Sequence, residues 1–194
     1  NSIPVRILVT LYMLTFKRKL ILNKAQEQRI NSWIGVCRLI YNTCIEIRRE
    51  GYKNTGKTVH RFDLDAQLKT IRDIDWINDV PFECLSQAVK KMDLAYQKFF
   101  RTCKNGATLP KFAKKQKYKH ITFRQRISIK ERFLKVSKIG YLKMVIDSEV
   151  HGKIKTVTIK EEFGSFYAYI VTDGVKKINS QDENQILGLD MGIS

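Results

Sequence analysis

Ile121-Thr122-Phe123-Arg124-Gln125-Arg126-Ile127-Ser128-Ile129 is the stretch at which the chain changes period. Apolar Ile121, Phe123, Ile127 and Ile129 alternate with Thr122, Arg124, Arg126 and Ser128. That is the two-residue spacing of a strand with one basic face. Further β-like runs follow: Phe133 to Val136, Tyr141 to Ile146, Ile154 to Ile159 and Ser165 to Val171. Turn signals separate them at Ile139-Gly140, His151-Gly152, Phe163-Gly164 and Asp173-Gly174. Short strands at this spacing predict a small antiparallel barrel.

Upstream the period is helical. A short β-like segment, Leu14 to Leu22, precedes Asn23, a helix N-cap with Gln26 three residues on. Ile30, Trp33, Ile34, Cys37, Ile40, Tyr41, Cys44 and Ile45 then recur on one helix face, with Gly51 as the expected end. Phe62, Leu64, Leu68 and Ile71 predict a second helix. Pro81 breaks the chain before a third, whose face carries Leu85, Ala88, Val89, Met92, Ala95, Tyr96, Phe99 and Cys103 before Asn105-Gly106 stops it. The fold class is therefore α+β. A small antiparallel β-barrel, built from residues 13–22 and 105–175, carries an inserted helical bundle at 23–104. Residues 176–185 read as a polar linker. Residues 186–194 are an apolar strand interrupted by Asp190. Residues 1–12 read as an upstream or non-native extension before Met13.

The 194 residues hold 36 Lys and Arg against 19 Asp and Glu, a net charge of +17. With 43% hydrophobic and 28% charged residues this is a folding composition, not a disordered one. Lys98 to Lys138 contains 14 basic residues and one acid, Glu131. Phe99, Phe100, Phe112, Tyr118 and Phe123 are interleaved with them, which a solvated tail would not need. Basic clustering with aromatics points to nucleic acid rather than to an anionic membrane. Residues 3 to 16 are too short and wrongly flanked for a signal peptide or a membrane span, so a cytoplasmic location is expected. Cys37, Cys44, Cys84 and Cys103 form no CxxC pair, and His60, His120 and His151 are scattered. No zinc site is expected, and the thiols are expected buried and reduced.

Several motifs together resemble one family. Phe16-Lys17-Arg18-Lys19-Leu20 followed by Asn23-Lys24-Ala25-Gln26-Glu27 is similar to the opening strand and first helix of the TnpB family. These are transposon-encoded nucleases of insertion sequences, relatives of type V CRISPR effectors. Cys37-Arg38-Leu39-Ile40-Tyr41-Asn42, Ser86-Gln87-Ala88, Leu109-Pro110-Lys111-Phe112 and Thr122-Phe123-Arg124 match in the same order. Gly188-Leu189-Asp190-Met191-Gly192 resembles the first motif of the family's RuvC-type nuclease domain. The resemblance runs from about Met13 to the last residue. It implies an OB-like wedge barrel split by a helical recognition insert, then the first strand of an RNase-H-like domain. It implies guide RNA and target DNA as partners.

The resemblance makes Asp190 a catalytic metal ligand, since two-metal phosphodiester cleavage uses hard carboxylate oxygens on Mg2+. Taken alone, an Asp at a strand-to-turn transition has an ordinary structural reading. The family also needs a later Glu, a later Asp and a zinc ribbon. One carboxylate cannot hold two metals, so Mg2+ belongs to the full-length protein and this chain alone is not expected to cut DNA. Lys111, Lys114, Lys115, Lys117, Lys119, Arg124 and Arg126 suit phosphate contacts. Tyr118 suits base stacking, whereas Phe123 is better placed for the core. Arg38, Arg48 and Arg49 are duplex-contact candidates, with a buried ion pair as the alternative for Arg38. Two rival functions remain open: a nuclease-dead DNA-binding transcriptional regulator of the same family, and a stand-alone RNA-binding barrel.

Overall fold

The computed structural model describes residues 8–178. Asp190 and the expected nuclease strand at 186–194 lie outside the described residues, as does most of the expected linker. Strand β1 (Leu8–Ile21) comes first, then four α-helices: α1 (Lys24–Thr55), α2 (Arg61–Thr70), α3 (Asp75–Asn78) and α4 (Phe82–Thr102). Six strands follow: β2 (His120–Phe123), β3 (Ser128–Lys130), β4 (Phe133–Val136), β5 (Gly140–Met144), β6 (Lys153–Glu162) and β7 (Ser165–Ile178). The chain is α+β, with the helices inserted between β1 and β2.

Local chemistry sets the helix limits. Asn23 accepts from the Gln26 N–H at 2.8 Å while Gln26 Oε1 accepts from the Asn23 N–H at 3.1 Å, a reciprocal capping box. Gly51 does not end α1, contrary to the sequence expectation. The helix runs on to Thr55, and Gly56, with φ of 69°, caps it. Gly51 serves close packing instead: a Cβ there would meet Val59 at 2.6 Å. In α4 the buried face is Cys84, Leu85, Ala88, Val89, Met92 and Tyr96, and Gly106 stops the chain at φ of 79°.

Among the described residues the strands form one seven-stranded antiparallel sheet, ordered β2-β6-β7-β1-β5-β4-β3. It is open, and the expected closed barrel is corrected on this point. β2 and β3 are edges that do not pair with each other. The physical reason lies in the expected 121–129 strand, which breaks after Phe123 because α4 intervenes. Glu83 Oε2 accepts the backbone N–H groups of Arg124 (2.9 Å) and Gln125 (2.6 Å), so these donors satisfy a carboxylate instead of a strand. Arg126 then turns the chain with φ of 53°. Asp173-Gly174 proves to be strand interior: Asp173 pairs with Met13 and Lys153, and β7 continues to Ile178.

Helices and sheet share one core. Trp33, Leu85, Met92, Phe123, Leu142, Ile159 and Ile170 are fully or almost fully buried within it. Among the described residues no helix is long and apolar enough to cross a membrane.

Candidate nucleic-acid interface

A cleft of about 800 Å³ opens between the helices and the sheet. Its cationic lining comes from separate places in the chain: Arg61 on α2, Arg72 in the turn after it, Arg124 and Arg126 after β2, Lys138 before β5, and Lys153 and Lys155 on β6. The one acid in the lining, Glu83, is already engaged by the Arg124 and Gln125 backbone. Four of the seven cations have neutral or acidic partners that fix their position: Arg61 lies 3.3 Å from Asp65, one turn on along α2. Arg72 donates to Asn78 Oδ1 at 2.9 Å, Lys138 to the Asn78 carbonyl, and Lys155 lies 2.5 Å from Asp173. Arg124, Arg126 and Lys153 form no ion pair with any described residue, and all three are exposed. Arg126 and Lys138 sit in the left-handed backbone region, φ of 53° and 63°. Non-glycine residues reach it at a steric cost, and such residues concentrate at functional sites.

The other sequence-derived candidates divide. Lys111, Lys114, Lys115 and Lys117 are exposed on the connector between α4 and β2. That connector lies along α1. Asn42 pairs with both backbone groups of Ala113, accepting at 2.7 Å and donating at 3.2 Å. Arg49 donates to the Pro110 carbonyl at 2.6 Å and its guanidinium lies 5.0 Å from the Phe112 ring centre. Arg49 therefore positions the connector. Lys119 is paired with Glu161 at 3.0 Å. Arg38 is half-buried and, with Lys115, Lys119 and Tyr118, lines a second depression beside α1.

Two candidates are turned inward. Arg48 is buried, 2.8 Å from Asp93 and donating to the Val59 carbonyl at 3.0 Å, with Tyr96 beneath its guanidinium. It joins α1 to α4 and offers nothing to a ligand. Tyr118 is buried too, tilted against Tyr41 and stacked on His120 at 5.0 Å, so its ring is already covered. Phe123 is core, as its alternation with Arg124 predicts.

At the connector's end Lys91 Nζ donates to His120 Nε2 at 2.8 Å. Burial, and then the Lys91 charge, push the His120 pKa down to about 4, so the ring stays neutral and accepts. Burial pushes the Cys37 thiol up to about 12 and the Cys44 thiol up to about 11, which makes both inert. Cys84 is buried as well, but Cys103 is exposed, unlike the expectation for all four.

The sequence reading missed Arg61, Arg72, Lys138, Lys153 and Lys155. Only Lys138 belongs to the basic run, at its very end, and only the folded topology brings the five together. Lys153 and Lys155, two apart on a strand, carried the one local signal.

Two comparisons bear on this arrangement. A family described as a helix-turn-helix domain, HTH_OrfB_IS605, matches residues 13–57. InsQ of Escherichia coli (strain K12), provisionally named an RNA-guided DNA endonuclease, is 24% identical over 184 residues, 92% of this chain. The TnpB resemblance is borne out. The chain spans 45% of InsQ, consistent with the TnpB-like motifs marking an N-terminal portion. Over the helix-turn-helix span the structure has the end of β1 and the unbroken α1, with no turn between two helices. The TnpB-like signatures acquire physical roles. Tyr41 and Asn42 hold the connector, and Ser86 Oγ hydrogen-bonds to Asp65 at 2.9 Å, tying α4 to α2.

Proposed function

We propose that this chain is the nucleic-acid-binding N-terminal part of a transposon-associated RNA-guided DNA endonuclease, holding guide RNA and target DNA by their phosphate backbones. The observation that carries this reading is the cleft, in which seven cations drawn from separate segments face one volume. Phosphate contacts of this kind position a duplex without reading its sequence, which suits a protein that leaves sequence to base pairing. The 24% identity to InsQ supports the same reading.

Binding to structured RNA and duplex DNA should fall steeply with salt. A protein neutralising roughly 6 phosphates loses about 10³-fold in affinity between 50 and 200 mM salt. Electrophoretic shifts across that range test it, and binding insensitive to salt overturns it.

Catalysis would belong to the longer protein. Among the described residues no group of three or more His, Cys, Asp or Glu could hold a metal ion, and Asp190 lies outside them. No metal step is therefore derived. In the full-length protein Asp190→Ala should abolish Mg2+-dependent cleavage while leaving RNA and DNA binding intact. If cleavage persists, Asp190 is not a metal ligand; if the unaltered full-length protein does not cut DNA at all, a nuclease-dead DNA-binding regulator becomes the better reading.

A further inference from the structure

The hairpin joining β6 and β7 turns through two residues. Glu162 pairs with Ser165, and Phe163 and Gly164 fill the turn with φ of 50° and 76°. Two positive φ values in a two-residue turn are the type I′ geometry, which favours Asn, Asp or Gly at its first place. Phenylalanine there carries the steric penalty of left-handed backbone and gains no burial in return, because its ring is fully exposed. Folding supplies no reason for this residue.

The surroundings supply one. Gly164 borders a depression of about 730 Å³ beside α1, whose lining includes Arg38, Asn31, Lys115 and Gln116. Of its two acids, Glu161 is neutralised by Lys119 at 3.0 Å, which leaves Glu27. The rim thus presents one bare aromatic face beside a depression whose remaining charge is Arg38 and Lys115 against Glu27. Cations set beside an exposed ring suit a nucleotide, which brings a phosphate and a π-face together.

We propose that the β6–β7 tip holds an unpaired nucleic-acid base stacked on Phe163, with the flanking phosphates on Arg38 and Lys115. The proposal rests on the nucleic-acid reading above and adds a second, single-stranded subsite to the cationic cleft. Stacking of a base on an aromatic ring tolerates any sequence, because every base has a π-face. A ring carried on a rigid two-residue turn is already in place before the base arrives.

The test uses the whole 194-residue chain. A short single-stranded oligoribonucleotide carrying 2-aminopurine reports stacking by fluorescence quenching, and a blunt duplex of the same sequence serves as control. The wild-type chain should quench the single strand. Phe163→Trp should still quench. Phe163→Asn should abolish quenching and weaken single-strand binding roughly 10-fold, leaving duplex binding unchanged. It should also raise Tm, since Asn fits the turn. Unchanged quenching in Phe163→Asn overturns the proposal, as do equal losses for both ligands or a lowered Tm. A chain that binds neither ligand at low salt overturns the nucleic-acid reading itself. Salt-dependent duplex binding with quenching indifferent to Phe163 overturns only the subsite.

Discussion

The connector and the cleft gather positive charge in opposite ways. Residues 111–119 place five lysines close together in sequence, but the chain is laid along α1, and one of them, Lys119, is paired with Glu161. The cleft takes one or two cations from each of several distant segments and lines a single volume with them. Charge per residue and charge per unit volume are different quantities. A polyanion responds to the second, because several cations then act on the same phosphates at once.

Equal charge removed from the two regions should give unequal effects. Arg124, Arg126 and Lys153 changed together to Ala should lower duplex affinity on the order of 1000-fold at low salt, and lower the log–log salt slope by roughly 3. Lys111, Lys114 and Lys117 changed to Ala should cost under about 10-fold, since they face solvent without converging. Fluorescence anisotropy across a salt series gives both numbers, and equal losses would erase the distinction between run and cleft.

Arg48→Ala removes a charge that belongs to neither region. It leaves Asp93 and the Val59 carbonyl without their partner and should cost roughly 3 kcal/mol in urea unfolding. Binding by the folded fraction should not change. A binding defect with normal stability would return Arg48 to the interface.

Asn42→Ala should act on the connector alone. It orphans both backbone groups of Ala113, worth about 1–2 kcal/mol. Trypsin cleavage after Lys114 or Lys115 should become faster, while duplex affinity in the cleft holds.

A pH dependence is expected at the junction of connector and sheet. His120 takes up its proton near 6.5 when unfolded but only near 4 when folded. Between those values the unfolded chain binds more protons, so stability falls as pH falls through that window. His120→Gln should flatten the Tm profile there. A profile already flat in the wild type would mean that the ring is open to water.

Local chemistry was legible in the sequence, and long-range convergence was not. The Asn23 capping box, the buried faces of α1 and α4 and the change of period at Ile121 all depend on residues within a few positions of one another, and each stands in the structure. Gly51 was misread because glycine serves close approach as well as helix ends, and Val59 decides which. Asp173-Gly174 was misread because β1 pairs straight across it, and Met13 lies far away in sequence. Of the site, Arg124 and Arg126 were found because they alternate with core residues. Arg61, Arg72 and Lys138 were not, because each becomes a cleft residue only through the path of the chain. Arg48 and Tyr118 show the converse: a charge or an aromatic in a basic chain satisfies its own fold first when a partner is near.

β1 sits mid-sheet between β7 and β5, and its register with β7 joins Lys19 to Tyr167 and Leu8 to Ile178. Its longer pairing is with β7, the last of the described strands to be synthesised, whereas β5 meets only Leu20 and Ile21. At ribosomal speeds the first strand therefore waits on the order of ten seconds for its mate. During that interval the helices, whose contacts are mostly nearer in sequence, can already assemble. The nascent chain is thus expected to hold a helical unit preceded by a strand that still lacks its β7 partner. Its exposure to misassembly ends when β7 leaves the exit tunnel, so a chain cut before Ser165 should aggregate where the whole one does not.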